Sequence, residues 1–260
     1  MNLDEMLIAL ASLTALSAAA RSTWSPCGLS MLSSLTPFGE RTRGHRYPVT
    51  AAWFVAGATV GGATLGAVAV VAALAFSAAG VVHHPLPVAL IAAAIALLGV
   101  AIDAGVFGEV LPVIRRQVND RWLSRYRVWV YAGGFGWQVG SGITTYVMTS
   151  AVFVFVALAA ASGQPVAAMF VATGFGAARG GAVLLTSRAS DPQALRALHQ
   201  KLDRATEPVR WIAITSQGIA AVVLFGYVSP VCAAACVALM TTALGVQTKT
   251  KSAAARASGR

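Results

Sequence analysis

Residues 49–79 read VTAAWFVAGATVGGATLGAVAVVAALAFSAA, 31 residues without one charged side chain. About 20 apolar residues of helix cross the hydrocarbon core of a bilayer, so this stretch is long enough to span one. It carries Gly57, Gly61, Gly62 and Gly66, spaced near one helical turn. In a membrane such small residues let helix backbones approach closely.

The rest of the chain agrees. Of its 260 residues, 57% are hydrophobic and 11% are charged, with a mean hydropathy of +0.71. A soluble domain carries roughly a quarter charged residues. The composition excludes a soluble enzyme, a nucleic-acid-binding domain and a disordered tail, and reads as an all-α polytopic membrane protein. The expected unit is one transmembrane domain over 1–246, with spans near 6–37, 49–79, 88–111, 129–160, 166–186, 211–228 and 231–246. A basic, small-residue-rich and disordered tail follows at 247–260. The seventh span is short, so six or seven crossings are both allowed. A polar stretch, 188–210, reads as a short surface helix opened by Asp191-Pro192.

Lys and Arg number 19 against 9 Asp and Glu, a net charge of +10. The basic residues gather in three loops, 40–46, 115–127 and 188–210, which alternate with two uncharged turns, 81–87 and 162–165. The positive-inside rule accounts for that pattern without nucleic acid. It places the basic loops and the C-terminus in the cytoplasm of a multi-pass cell-membrane protein. The N-terminus falls outside, where the acidic Asp4 and Glu5 precede an apolar run that lacks the basic lead of a signal peptide.

Two segments are interrupted in corresponding places. The first breaks at Ser25-Pro26-Cys27-Gly28. The fourth is punctuated by Gly136, Gly140 and Gly142. Each opens a set of three spans, so the two sets are inverted relative to one another. Interrupted helices in matching positions of inverted halves are the usual pointer to a midplane site. Gly136, Gly140 and Gly142 read either as lining for such a cavity or as packing notches.

Three cysteines, Cys27, Cys232 and Cys236, form no CxxC pair, which excludes a zinc ribbon and a thioredoxin motif. Cys27 follows a proline at a helix break, where freed backbone N–H groups and the helix dipole favour a reactive sulfur. Cys232 and Cys236 share a helix face and are potential partners for it. Intramembrane charges are expensive and usually paired. Asp103 and Arg179 fall at matching depth and are expected to form a buried pair. His83 and His84 are adjacent and do not share a helix face, so no metal site is expected, and no cofactor is implied.

Ser25-Pro26-Cys27 in a broken first span, with Leu29 and a Pro37-containing end, resembles the CcdA/DsbD transmembrane family of cytochrome c biogenesis and thiol–disulfide electron carriers. Gly134-Phe135-Gly136-Trp137 resembles the lead to that family's second Pro-Cys. Here Gln138-Val139-Gly140 follows instead. The resemblance covers roughly residues 5–228. It implies a relay of reducing equivalents through Cys27, from a cytoplasmic thioredoxin to an extracytoplasmic thiol protein. The missing second thiol leaves open a transporter or exporter of a small solute or ion on the same plan, or a non-catalytic membrane subunit.

Overall fold

The computed structural model describes residues 2–108, 110–111, 122–142 and 144–242, all of them helix or connection. The helices are α1 (Leu3–Ser22), α2 (Pro26–Ser34), α3 (Pro37–Thr42), α4 (Tyr47–Ala78), α5 (Pro85–Ala104), α6 (Trp122–Arg125), α7 (Val128–Gly140), α8 (Ala151–Ala161), α9 (Pro165–Gly181), α10 (Pro192–Val228) and α11 (Pro230–Thr242). A 3-10 segment, Ala182–Arg188, continues α9. Five helices are long and apolar enough to cross a membrane: α1, α4, α5, α9 with its 3-10 extension, and α10. The fourth apolar segment is divided into two shorter helices, α7 and α8. Most of the basic loop 115–127, Glu109, the last residues of the seventh span and the tail lie outside the described residues.

Prolines open most of these helices. α2, α3, α4, α5, α9 and α10 each carry one in the first two positions, where a missing N–H leaves nothing unsatisfied. Ser25, Thr36 and Asp191 cap α2, α3 and α10 through side-chain oxygens.

The core is two backbone-to-backbone seams. Along α4 and α7, a Cβ on Gly57 would lie 2.1 Å from the Gly133 carbonyl oxygen, and one on Gly61 would lie 2.3 Å from that of Trp137. Across α4 and α9, a Cβ on Gly62 would lie 2.5 Å from the Ala172 oxygen, and one on Gly176 would lie 2.3 Å from that of Ala58. No side chain larger than hydrogen fits these positions, and dispersion contact between the backbones replaces interdigitation. The registers give direction. Residue numbers rise together along α4 and α7 and run oppositely along α4 and α9, as they do along α5 and α10, where Gly99 meets Gln217 and Asp103 meets Arg210. Each span of the first set thus packs on its counterpart in the second: α1 on α8, α4 on α9 and α5 on α10.

The polar stretch 188–210 is not a separate surface helix. α10 runs unbroken through it for 37 residues, with Pro208 inside. Pro208 removes one intrahelical donor, but nothing beside it stops the helix, so the polar turns continue rigidly into the apolar ones. Trp53, Trp129 and Trp211 are exposed near the end of the bundle where α4 and α7 begin and α5 stops. Exposed indoles at one level are the mark of a membrane–water interface, and residues 192–210 of α10 project beyond it.

Candidate functional site

α1 stops at Thr23, whose N–H returns to the carbonyls of Ala20 and Arg21. Ser25 then caps a new helix, its Oγ accepting from Gly28 N at 3.1 Å, with Pro26 in the first turn. A Cβ on Gly28 would lie 2.3 Å from the Thr23 carbonyl oxygen, so the fold-back requires glycine. Cys27 is the second residue of α2 and 1% exposed. Trp24 Nε1 donates to the Leu202 carbonyl at 2.9 Å, and Ser33 Oγ lies 3.1 Å from His199 Nε2. These contacts fasten the break to the projecting half of α10.

Arg179 of α9 faces this break. It is 2% exposed, and its Nε, Nη1 and Nη2 have no hydrogen-bond partner among the described residues. Its guanidinium carbon stands 6.0 Å from the centre of the Phe175 ring. Between α2 and α9 lies a narrow pocket of about 10 Å³, lined by Ser22, Thr23, Gly28, Met31 and Arg179 among others. That is room for about one water.

The other charge of an apolar span, Asp103, is half-buried and lies elsewhere. Asp103 Oδ1 accepts from the Ser150 N–H at 2.8 Å, and Oδ2 accepts from Thr149 Oγ1 and, at 2.8 Å, from Gln217 Nε2. Gln217 in turn accepts from Ser150 Oγ at 3.0 Å. Arg210 Nε and Nη2 donate to the Asp103 carbonyl, and Nη2 also donates to that of Ala104, placing a cation at the C-terminus of α5. The expected Asp103–Arg179 pair does not form. The two residues match in depth, but Asp103 turns to α10 and the start of α8 while Arg179 turns to α2. A cavity of about 290 Å³ lies beside Asp103, lined also by Arg21, Tyr146 and Arg210.

Cys236 is buried in the cluster shared by α1, α5, α8 and α10, and Cys232 is half-exposed. The fold places both on α11, whereas Cys27 lies in α2, next to the Gly28 that lines the pocket with Arg179. Gly136 and Gly140 sit inside a regular α7 and face the α4 backbone; a Cβ on Gly140 would lie 2.0 Å from the Ala58 carbonyl oxygen. They are seam positions, not cavity lining. Gly142 does mark the break between α7 and α8, at φ +72° against the Phe175 ring.

Sequence reasoning missed four polar positions: Glu40, Gln217, Ser17 and Ser216. Glu40, read as loop, is fully buried and accepts from Thr50 Oγ1 at 2.6 Å, Tyr131 Oη at 2.7 Å and Arg43 Nη1 at 2.8 Å, clamping α3, α4 and α7 together. Thr36-Pro37 was a legible cap signature for α3; nothing in the sequence points to Tyr131. Gln217, a lone amide in an apolar span, was legible as interhelical glue. Ser17 and Ser216, 2.6 Å apart, join α1 to α10.

The chain is 32% identical over 160 residues to the methylamine utilization protein MauF of Methylorubrum extorquens. The match covers 61% of this chain and 55% of that protein, so the chain spans about half the length of the relative it matches. No protein-family profile and no solved structure matches it.

Proposed function

We propose that this chain is a membrane thiol-exchange protein on the CcdA/DsbD-like plan, in which Cys27 relays reducing equivalents for thiol or cytochrome c maturation. One observation carries the reading: a buried cysteine starts a half-helix broken by Ser-Pro, and its neighbour Gly28 lines one pocket with a buried arginine that has no hydrogen-bond partner among the described residues. The likeness to a methylamine utilization protein suggests the setting, an accessory role in amine use. The basic end is then cytoplasmic and meets a thioredoxin-type dithiol, and the receiving thiol protein lies outside. Cys232 and Cys236 stand apart, so Cys27 works through mixed disulfides with its partners. The breaks at Thr23–Ser25 and Ser141–Ser150 supply the hinges for opening toward either side.

A second reading, transport of a small solute or ion, draws on the cavity beside Asp103, with its mixed-charge lining of Arg21, Asp103 and Arg210. The deciding experiment reconstitutes the whole chain in vesicles with a thioredoxin system outside and a disulfide reporter inside, scoring the vesicles whose basic end faces outward. The relay reading expects Cys27→Ser to abolish reporter reduction and wild type to yield a trapped mixed disulfide. Full reduction by Cys27→Ser sinks it and leaves transport standing.

A further inference from the structure

Arg179 lacks what a buried guanidinium needs. Its group carries five N–H donors, and its three nitrogens have no hydrogen-bond partner. Snorkelling would carry the charge to the interface, yet Arg179 is 2% exposed. The Phe175 ring at 6.0 Å offers a cation–π contact but no acceptor. The pocket holds about one water, too few for five donors. The other charged and titratable groups nearby are engaged elsewhere. Glu40 is held by Arg43, Thr50 and Tyr131, and Tyr47 donates to the Val183 carbonyl. Arg21 is itself a cation and lines the separate cavity beside Asp103 and Arg210. An isolated charge in low dielectric calls for something negative beside it, and the pocket Arg179 lines is closed by Ser22, Thr23 and Gly28, the residues of the break that carries Cys27.

We infer that Arg179 is the positioning residue of the Cys27 site, holding the negative sulfur that forms each time Cys27 enters or leaves a disulfide. This rests on the thiol-exchange reading. In the step, the Cys27 S–H loses its proton and the sulfur attacks a partner disulfide. The partner's S–S bond breaks, a Cys27–S–S bond forms, and the displaced sulfur takes up a proton. A thioredoxin-type dithiol then reduces the mixed disulfide: its two thiols become a disulfide, and Cys27 and the bound partner leave as thiols. Negative charge spreads over the sulfurs during each exchange, and a preorganised guanidinium stabilises it without reorganisation.

The test reads the local field directly. The full chain in micelles is treated with iodoacetate, an anion, or iodoacetamide, its neutral analogue, and modification of Cys27 is followed by mass spectrometry. A cation beside the sulfur draws the anionic reagent selectively. Arg179→Met should lower the iodoacetate-to-iodoacetamide rate ratio about tenfold, the low end of electrostatic steering. Arg179→Lys should restore most of it, and the ratio at Cys232 should not move. A purely structural role would slow both reagents together and leave the ratio intact; that result overturns the inference. So does a Cys27 that stays unmodified in the native chain while reacting once unfolded. The relay reading fails separately: Cys27→Ser that still reduces the reporter sinks the relay, whereas an unchanged ratio with a dead Cys27→Ser relay removes Arg179 alone.

Discussion

Asp103 and Arg179 are both charges set within apolar helices, and the fold treats them oppositely. Asp103 is saturated, with a backbone N–H, a hydroxyl and an amide on its carboxylate. Arg179 is tightly enclosed and has no hydrogen-bond acceptor. Saturation makes Asp103 a joint: it ties α5 to the start of α8 and to α10, and its work is complete in the resting fold. The unsatisfied guanidinium lowers stability in the resting fold, and under the proposed thiol exchange its use lies in another state of the site. Charges in apolar helices thus divide, by their hydrogen-bond inventory, into saturated joints and groups with unused donors.

The comparison breaks most easily at Asp103. Asp103→Leu strands the Gln217 amide, the Thr149 hydroxyl and the Ser150 N–H around a half-buried carboxylate, and should cost about 3 kcal/mol, since a donor left unsatisfied costs about 1–3 kcal/mol. Denaturation of the reconstituted protein would read it, and a neutral outcome would mean that the network is not a joint. Arg179→Met should move the other way. Replacing an uncompensated buried charge by an apolar side chain of similar length should raise stability by about 2 kcal/mol while relay activity falls. Loss of stability would show that Arg179 has structural acceptors.

Gln217→Leu sharpens the contrast by removing one donor to the carboxylate. Its expected loss is smaller, about 1.5–3 kcal/mol for a hydrogen bond to a charged group, and it should be much reduced in an Asp103→Asn background. The smallest effect belongs to Asp191, a carboxylate with a similar set of donors but in water. The N–H groups of Ala194 and Gln193 and the Ser190 hydroxyl hold it below the usual carboxylate range. Its capping contribution is therefore fully present above that range and fades as pH falls through the lowered value. Hydrogen exchange in the first turn of α10 should quicken over that acidic window. Asp191→Asn should abolish the pH dependence, and an unchanged profile in that variant would refute the assignment.

Depth was legible in the sequence, and direction around the helix was not. Hydropathy marked where each helix runs, Ser25-Pro26 marked the restart of α2, and the glycines of residues 57–66 marked close contact. Depth alone paired Asp103 with Arg179; which neighbour each side chain faces depends on helix rotation, fixed by seams such as Gly62 against Gly176. The glycines of α7 carried two readings at one spacing, and only the Ala58 backbone beside Gly140 separates them. Glu40 was illegible because its partners Thr50 and Tyr131 come from two other helices, one of them 91 residues away. Pro208 is the converse: a strong local stop signal overridden by the packing of α10 along α5.

The unequal lengths of α4 and α5 have a consequence for the host bilayer. At 1.5 Å per residue, the 20 residues of α5 measure about 30 Å, the thickness of a hydrocarbon core, and need no tilt. From Trp53 to Ala78, α4 runs about 38 Å, too long for an upright crossing. A lean of about 37° would fit that length within a core of about 30 Å, near the upper end of observed helix tilts. One molecule therefore presents two hydrophobic lengths to its surrounding lipid. A thicker membrane lets α4 stand more upright, which would shear the seams it shares with α7 and α9, so acyl-chain length becomes a mechanical input to the packing beneath Arg179.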